Sequence, residues 1–339
     1  MRPLLAALVV ALAVTGVAQP AAAQGPAFYD GKTIRLIVGL AAGGGFDTYA
    51  RLAGRHLGKH IPGKPAIIVE NMTGAGGLIA ANHLYKVAKP DGLTLGHFNG
   101  SHMLGQVLGQ PGIEFDARKF EFLGSLVKED VVCGFTKGSG ITSLDKWMSA
   151  RAPVKLGGVS TGSPVDNSAK ILKAALGLPV QVVSGYKGTA EIRLAADAGE
   201  VAGACWAWES MRATWRSGLE AGQVAVVLQL AAKGFPDLPG VPLAINLAKT
   251  DEARQLIQMA HYAGAYARPF YLPPGTPKER VRTLRTAWEE MLKDKAFLAE
   301  AEKMKLTIEP VTGDELTRMV ADLFTLDPAL LAKLKTVLY

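Results

Sequence analysis

The stretch Ile34-Arg-Leu-Ile-Val-Gly-Leu-Ala-Ala-Gly43-Gly44-Gly45-Phe46-Asp47 decides the fold class of this 339-residue chain. A β-rich apolar run ends at Ala42 in three glycines, and an acidic residue opens a helical pattern behind them. Glycines let backbone N–H groups converge on one point, because no Cβ blocks approach and positive φ is allowed. A helix N-terminus directly behind adds partial positive charge and unpaired donors. The product is a corner suited to a phosphate or a carboxylate. The same logic repeats downstream: 66–70 reads as a strand, Asn71-Met72-Thr73-Gly74-Ala75-Gly76-Gly77 as a turn, and 78–87 as a helix.

Outward from these two corners, short apolar runs alternate with helical patterns along the chain. Strands are predicted at 34–38, 66–69, 93–98, 131–136, 154–157, 180–183, 201–206, 224–229 and 265–271. Helices are predicted at 48–60, 78–87, 144–150, 165–176, 189–198, 209–221 and 251–262, with another running to 293. Thr276 reads as the N-cap of that last helix and Pro277 as its first residue. This βα alternation predicts an α/β fold of mainly parallel sheets covered by helices. The length predicts two lobes, since it exceeds what one core usually serves. Rhythm and composition place 24–125 with 228–339 in the first lobe and 126–227 in the second.

Met1-Arg2-Pro3 leads into an apolar run over 4–18, and Ala21-Ala22-Ala23 supplies a small-residue cleavage site. That is the layout of a secretory signal peptide over 1–23. The run is short of the roughly 20 apolar residues that a membrane anchor needs. Export to the periplasm is therefore expected. The formal charge is +7, and the basic residues are scattered rather than clustered. Such scatter argues against nucleic acid as a partner. Cys133 and Cys205 each lie in an apolar, strand-like stretch. They either pair in an oxidising compartment or stay as buried thiols, and their spacing carries no metal or redox signature.

Each glycine corner resembles a nucleotide motif and departs from it. A P-loop needs Lys and then Ser/Thr after its last glycine, whereas Phe46-Asp47 follows Gly45. Asp47 reads instead as a helix N-cap. Gly74-Ala75-Gly76-Gly77 approaches a dinucleotide fingerprint, but Ile79 stands where a small residue is needed. No cofactor is expected. Thr73 and the amides of Gly74, Ala75 and Gly76 suit a carboxylate better. Gly158-Val159-Ser160-Thr161-Gly162 has the G-x-S-x-G spacing of a hydrolase nucleophile elbow. Its partners would be His261 with Asp197 or Asp237, yet His261 falls inside an amphipathic helical pattern. We read the segment as a third anion-binding turn, with hydroxyls from Ser160, Thr161 and Ser163. His56 and His60 are four apart on a helix without a third ligand, so no metal is expected. His97, Asn99, Ser101 and His102 follow a strand end, where they line a cleft or cap the next helix. Tyr186 and Lys187 sit at another strand-to-helix corner, and Trp206 and Trp208 would either wall the cleft or pack in the core.

With these pieces in order, the chain resembles the TctC/Bug-type extracytoplasmic solute receptors of tripartite tricarboxylate transporters. The resemblance rests on Gly43-Gly-Gly-Phe-Asp47-Thr-Tyr-Ala-Arg51, Val69-Glu-Asn71, Gly74-Ala-Gly-Gly77 and Lys89-Pro-Asp-Gly-Leu-Thr-Leu95. Further along come Tyr186-Lys-Gly188, Pro236-Asp-Leu-Pro-Gly-Val-Pro242 and Pro273-Pro-Gly-Thr-Pro-Lys-Glu279. It implies a two-lobed periplasmic binding protein, type II-like, that closes on a small carboxylate and delivers it to membrane permease subunits. No enzymatic role is implied, and a monomer is expected. Carried onto this sequence, the binding residues are Ala42, Gly43, Gly44, Gly45, Phe46, Asp47, Thr73, Gly74, Ala75 and Gly76 of one lobe. They are opposed by Ser160, Thr161, Ser163, Tyr186 and Lys187 of the other. The chain departs from the family pattern at Ala42 (usually Pro), at Met72-Thr73 (usually Arg-Pro) and near Asp166 (usually His). A secreted hydrolase built on Ser160 is the alternative, and a sensor component docking on a membrane kinase is another.

Overall fold

Burial of Ile34, Leu36, Ile37 and Val38 makes Thr33–Val38 (β1) an interior strand. It pairs in parallel with Ala66–Asn71 (β2) on one side and Thr94–His97 (β3) on the other. The computed structural model describes residues 28–339, so the expected leader over 1–23 lies outside the described residues. Gly45–Leu57 (α1) connects β1 to β2, and Leu78–Lys86 (α2) connects β2 to β3. Ser101–Leu108 (α3) and Glu121–Ser125 (β4) follow, and the chain then enters a second sheet at Val131–Thr136 (β5).

That sheet is built from β5, Val154–Gly157 (β6), Val180–Val183 (β7), Gly203–Ala207 (β8) and Val224–Leu230 (β9). Leu144–Met148 (α4), Pro164–Leu176 (α5), Thr189–Asp197 (α6), Trp208–Thr214 (α7) and Arg216–Glu220 (α8) lie between its strands. The chain returns through Asp251–Ala265 (α9) to Pro269–Leu272 (β10), and β10 inserts between β3 and β4 of the first sheet. Lys278–Lys293 (α10), Lys295–Lys303 (α11), Val311–Thr312 (β11), Gly313–Leu323 (α12) and Pro328–Leu338 (α13) complete the fold. The strand orders are β11-β4-β10-β3-β1-β2 and β7-β6-β8-β5-β9. Residues 126–130 lead out to the second sheet and 231–268 lead back. On the way back, α9 packs against α5 of the second sheet.

Both sheets are mixed, which corrects the expectation of mainly parallel ones. β10 runs antiparallel to β3 and β4, and β5 runs antiparallel to β8 and β9. A chain that leaves one sheet and re-enters it must contribute strands that did not arise from βα crossovers, and those strands reverse direction. Three local readings are also corrected. Asp47 is the third residue of α1 and not its cap, which is Gly44. Pro277 caps α10, while the Thr276 hydroxyl donates to Pro273 O. The helix expected over 209–221 breaks at Trp215, whose buried ring stacks on Trp206 and donates through Nε1 to Asp197.

Aromatic stacking ties β3 to β10: Phe98 lies 4.0 Å from Tyr271, and His97 lies 4.0 Å from Phe270. Burial drives the His97 pKa down to about 3, so the ring is neutral and packs as an aromatic. In the second sheet Cys133 of β5 and Cys205 of β8 are directly opposed and joined by a disulfide. The pair closes a loop of 72 residues. Restricting that loop in the unfolded chain is worth about 2–4 kcal/mol. Urea unfolding with and without reductant should therefore differ by about that amount, and a Cys133→Ser/Cys205→Ser chain should match the reduced protein.

Candidate functional site

The corners of the two sheets meet. Ala41 N–H donates to Lys187 O at 3.0 Å, and Gln110 Nε2 donates to Thr161 O at 3.3 Å. Between the sheets lies a pocket with room of about 30 Å³. Lobe-one walls include Leu40, Gly44, Gly45, Phe46 and Asn99; the second sheet adds Val159, Ser163, Thr189, Trp206 and Ser210.

Two long helices end at this space without a capping side chain. Gly44 is the N-cap residue of α1 and Gly188 that of α6, and neither end has a side-chain cap. The first amides of a helix have no intrahelical acceptor, so both ends present N–H donors and partial positive charge. α5 also starts here, but Ser163 caps it by accepting from Asp166 N. Gly43 is different again, because its N–H donates to Asp47 Oδ2 at 2.9 Å. Asp47 further accepts from Arg51 Nε and Asn71 Nδ2, both at 2.9 Å. Burial raises the Asp47 pKa, but these partners outweigh it and hold the carboxyl below its ordinary value. Asp47 thus braces the corner from behind.

Of the expected binding residues, Gly44, Gly45, Phe46 and Ser163 form part of the cavity wall. Gly76 and Ser160 lie just behind it: a Cβ on Gly76 would overlap Ser160 Oγ and stand 3.7 Å from Asn99 Nδ2. The Gly76 carbonyl accepts from Asn99 Nδ2 at 2.6 Å and bonds His102 Nε2 at 3.0 Å. Gly74, Ala75, Gly76 and Gly77 all have positive φ, a run that explains why three of the four are glycine. The structure does not bring Ala42, Gly43, Asp47, Thr73, Gly74, Ala75, Thr161, Tyr186 or Lys187 to the wall. The Tyr186 hydroxyl donates to Glu200 at 2.6 Å, and Lys187 contributes its carbonyl to Ala41 rather than its ammonium to the cavity.

Sequence reasoning missed the charged centre. Arg268 is 3% exposed and lines the cavity, its Nε donating to Glu129 Oε1. Glu209 Oε1 stands 3.7 Å from Arg268 Nη2. The guanidinium lies 4.8 Å from the Phe46 ring centre and 5.4 Å from that of Tyr49. Its Nη1, the Ser210 hydroxyl and the Thr189 hydroxyl are buried without a hydrogen-bond partner among the described residues. A Cβ on Gly45 would overlap Ser210 and stand 2.8 Å from Arg268 Nη1, so only glycine fits there. A charged residue inside the apolar run 263–272 was the available signal, since such a residue is buried only when paired.

The sequence model for the tripartite tricarboxylate transporter family receptor matches residues 50–335. The chain belongs to that family. Curated relatives align over a shorter stretch. A UPF0065 protein of Bordetella bronchiseptica is 36% identical over 26% of this chain and 25% of its own length. One from Cupriavidus necator is 42% identical over 26% of this chain and 27% of its own. The chain thus spans about a quarter of the length of these relatives. Among solved structures, the periplasmic binding protein BugD shares the fold with a TM-score of 0.75, 19% identity, and coverage of 91% of this chain and 98% of its own. MatC from Rhodopseudomonas palustris with bound malate gives 0.70 at 22% identity, covering 91% and 99%. An R. palustris protein with adipate gives 0.72 at 21%, covering 90% and 97%.

This receptor does not assemble the hydrolase triad that G-x-S-x-G invites. Ser160 Oγ and His261 Nε2 are both without partners among the described residues. Asp197 is committed to Arg193 and Trp215, and Asp237 to Trp208 and Arg212. The helical pair His56 and His60 bonds Glu300 and Asp294 of the α10–α11 region. Among the described residues no group of three or more His, Cys, Asp or Glu side chains is placed to hold a metal.

Burial pushes the Glu209 pKa from 4.5 up to about 7; Arg268 opposes the shift and Glu129 adds to it. A carboxyl with a higher pKa in the folded state takes up a proton on folding, so its contribution to stability declines as pH rises from 4.5 to about 7. Denaturant midpoints measured across that window should fall more steeply for the native chain than for Glu209→Gln. Removing the cation by Arg268→Met should cost about 3–5 kcal/mol, because two buried carboxyls lose their counter-charge. That cost should be larger at pH 8 than at pH 5, where protonation relieves Glu209.

Proposed function

We propose that this receptor captures a small carboxylate in the periplasm by closing its lobes on it, acts as a monomer, and hands its cargo to membrane permease subunits of a tripartite transporter. The observation that carries the reading is the pair of uncapped helix N-termini, α1 from one sheet and α6 from the other, facing the same enclosed space. An anion placed between them receives charge-assisted hydrogen bonds from both lobes at once. Such an anion rewards closure, since neither lobe alone supplies both sets of donors. Arg268 Nη1 and the Ser210 and Thr189 hydroxyls add donors at the same place, all without hydrogen-bond partners among the described residues. Family membership and the malate and adipate in two structures of the same fold support a carboxylate.

Gly44→Asp tests the reading. Gly44 has extended backbone angles (φ −84°, ψ 174°) that any residue adopts, and Asp is a favoured N-cap, so the fold should hold. The new carboxylate would occupy the donors and repel an anion. Calorimetry with a carboxylate found by thermal-shift screening should show affinity reduced by about 100-fold or more, with the unliganded melting temperature changed by only a few degrees. Unchanged affinity would remove the α1 terminus from the site.

A further inference from the structure

Arg268 is surrounded by more negative charge than one guanidinium balances. It is buried, and carboxyls from two separate segments reach it. Glu129, on the segment that leaves the first sheet, accepts directly from Nε. Glu209, at the start of α7, stands 3.7 Å from Nη2, beyond hydrogen-bond reach. Its Oε1 is buried without a hydrogen-bond partner among the described residues. So is Arg268 Nη1, which lies against Gly45, and both residues line the cavity. We infer that capture of the anion is coupled to uptake of a proton by Glu209, so that the receptor takes its ligand and H⁺ together. This inference rests on the carboxylate reading and adds how the same site is regulated.

The count of charges carries it. With both carboxyls ionised, the Arg268 group is already negative before any ligand arrives. A carboxylate accepting from Nη1 adds a third anion around a single cation in a buried site. Like charges held that close do not all stay ionised, and one of them takes a proton. Glu129 keeps its charge because it holds the direct hydrogen bond to Nε. Glu209 has no such bond, and burial already pushes its pKa up to about 7 in the free protein. Arg268 is the cation that opposes that shift. A ligand on Nη1 draws on the same cation and weakens its hold on Glu209. Protonation then removes an unpaired buried charge and leaves the guanidinium to Glu129 and the ligand.

The groups around Glu209 leave this role to it. Tyr49 of α1 is held protonated, since burial and then the Glu209 charge raise its pKa above the ordinary 10. Asp130, on the outward crossing, adds a like charge that favours protonation of Glu209. On the same helix as Glu209, Arg212 is committed to Asp237 and Thr307. His97 of β3 stacks on Phe270, and burial pushes its pKa down to about 3, so it stays neutral. The sign of the linkage follows: the anion binds the protonated form better, so affinity declines as pH rises through the Glu209 titration.

The test is calorimetry of the native chain with butanoate, benzoate, malate and adipate from about pH 6.5 to 8.5, where the acids themselves are already ionised. Each titration is run in phosphate and in Tris, whose heats of ionisation differ, so the difference counts protons taken from the buffer. Uptake should be about 0.8 proton per ligand at pH 8 and about a quarter at pH 6.5, and affinity should fall roughly eightfold between them. Glu209→Gln, which fixes the neutral form, should take up no proton and hold its affinity within about twofold across the window. At pH 8 it should bind more tightly than the native chain, a gain that a damaged fold does not give. Asp130→Asn should keep the native uptake. An acid that binds the native chain without proton exchange, uptake that survives Glu209→Gln, or uptake lost in Asp130→Asn would overturn the inference while the carboxylate reading stands. If none of the four acids binds, the carboxylate reading falls and this inference falls with it.

Discussion

The buried contact between Arg268 and Glu129 holds the rest of the molecule in register. Glu129 lies on the segment that leaves the first sheet, and Arg268 lies on the segment that returns to it, so one ion pair ties both crossings together. The backbone repeats the tie: Glu129 N–H donates to Gly264 O, Gly100 N–H to Ala267 O, and Trp208 N–H to Asp130 O. A buried pair of this kind is weak evidence for net stability, since desolvation offsets much of the attraction. Its value here is positional. It fixes where the two lobes can meet, and it sets one guanidinium N–H near the Ser210 and Thr189 hydroxyls and the α1 corner. The polarity of the cavity follows from where that pair sits.

On the proposed reading, the glycine corner and the ion pair divide the work of recognition. Helix termini supply donors without a formal charge, so they can hold an anion and release it when the lobes part. The arginine is held by its glutamates, and its remaining N–H adds direction and little net charge. Asp47 behind the corner keeps Gly43 occupied and leaves Gly44, Gly45 and Phe46 as the presenting residues. This arrangement fits a receptor that must give up its cargo, because a free buried cation would bind a carboxylate and hold it.

Much of the scaffold was legible in the sequence because its signals are local. The apolar run before Gly43, the helix behind it and the repeated βα rhythm placed most elements within a few residues. The reversed strands β10 and β5 were not legible, since strand direction is set by which segment returns to which sheet and leaves no trace in a short window. Asp47 was misplaced by three positions because a carboxylate can serve an N-terminus either as its cap or by reaching back from the first turn. In the site, Gly44, Gly45, Phe46 and Ser163 stand out by their corner chemistry. Glu129, Glu209 and Arg268 do not, because their meaning arises only when segments more than fifty residues apart are brought together. Tyr186 and Lys187 stand out by the same chemistry, and in the structure the Tyr186 hydroxyl engages Glu200 while the Lys187 carbonyl accepts from the opposing corner.

The cross-link between Cys133 and Cys205 spans the middle of the second sheet, next to Trp206, which walls the cavity. Strands fastened there cannot shear past one another, so the second half of the protein swings as a plate and bends only where the chain crosses between sheets. The shape of that wall is then fixed when the disulfide forms. Were the two sulfurs to separate, the same surface would soften, and the wall that Trp206 contributes would hold its shape less firmly.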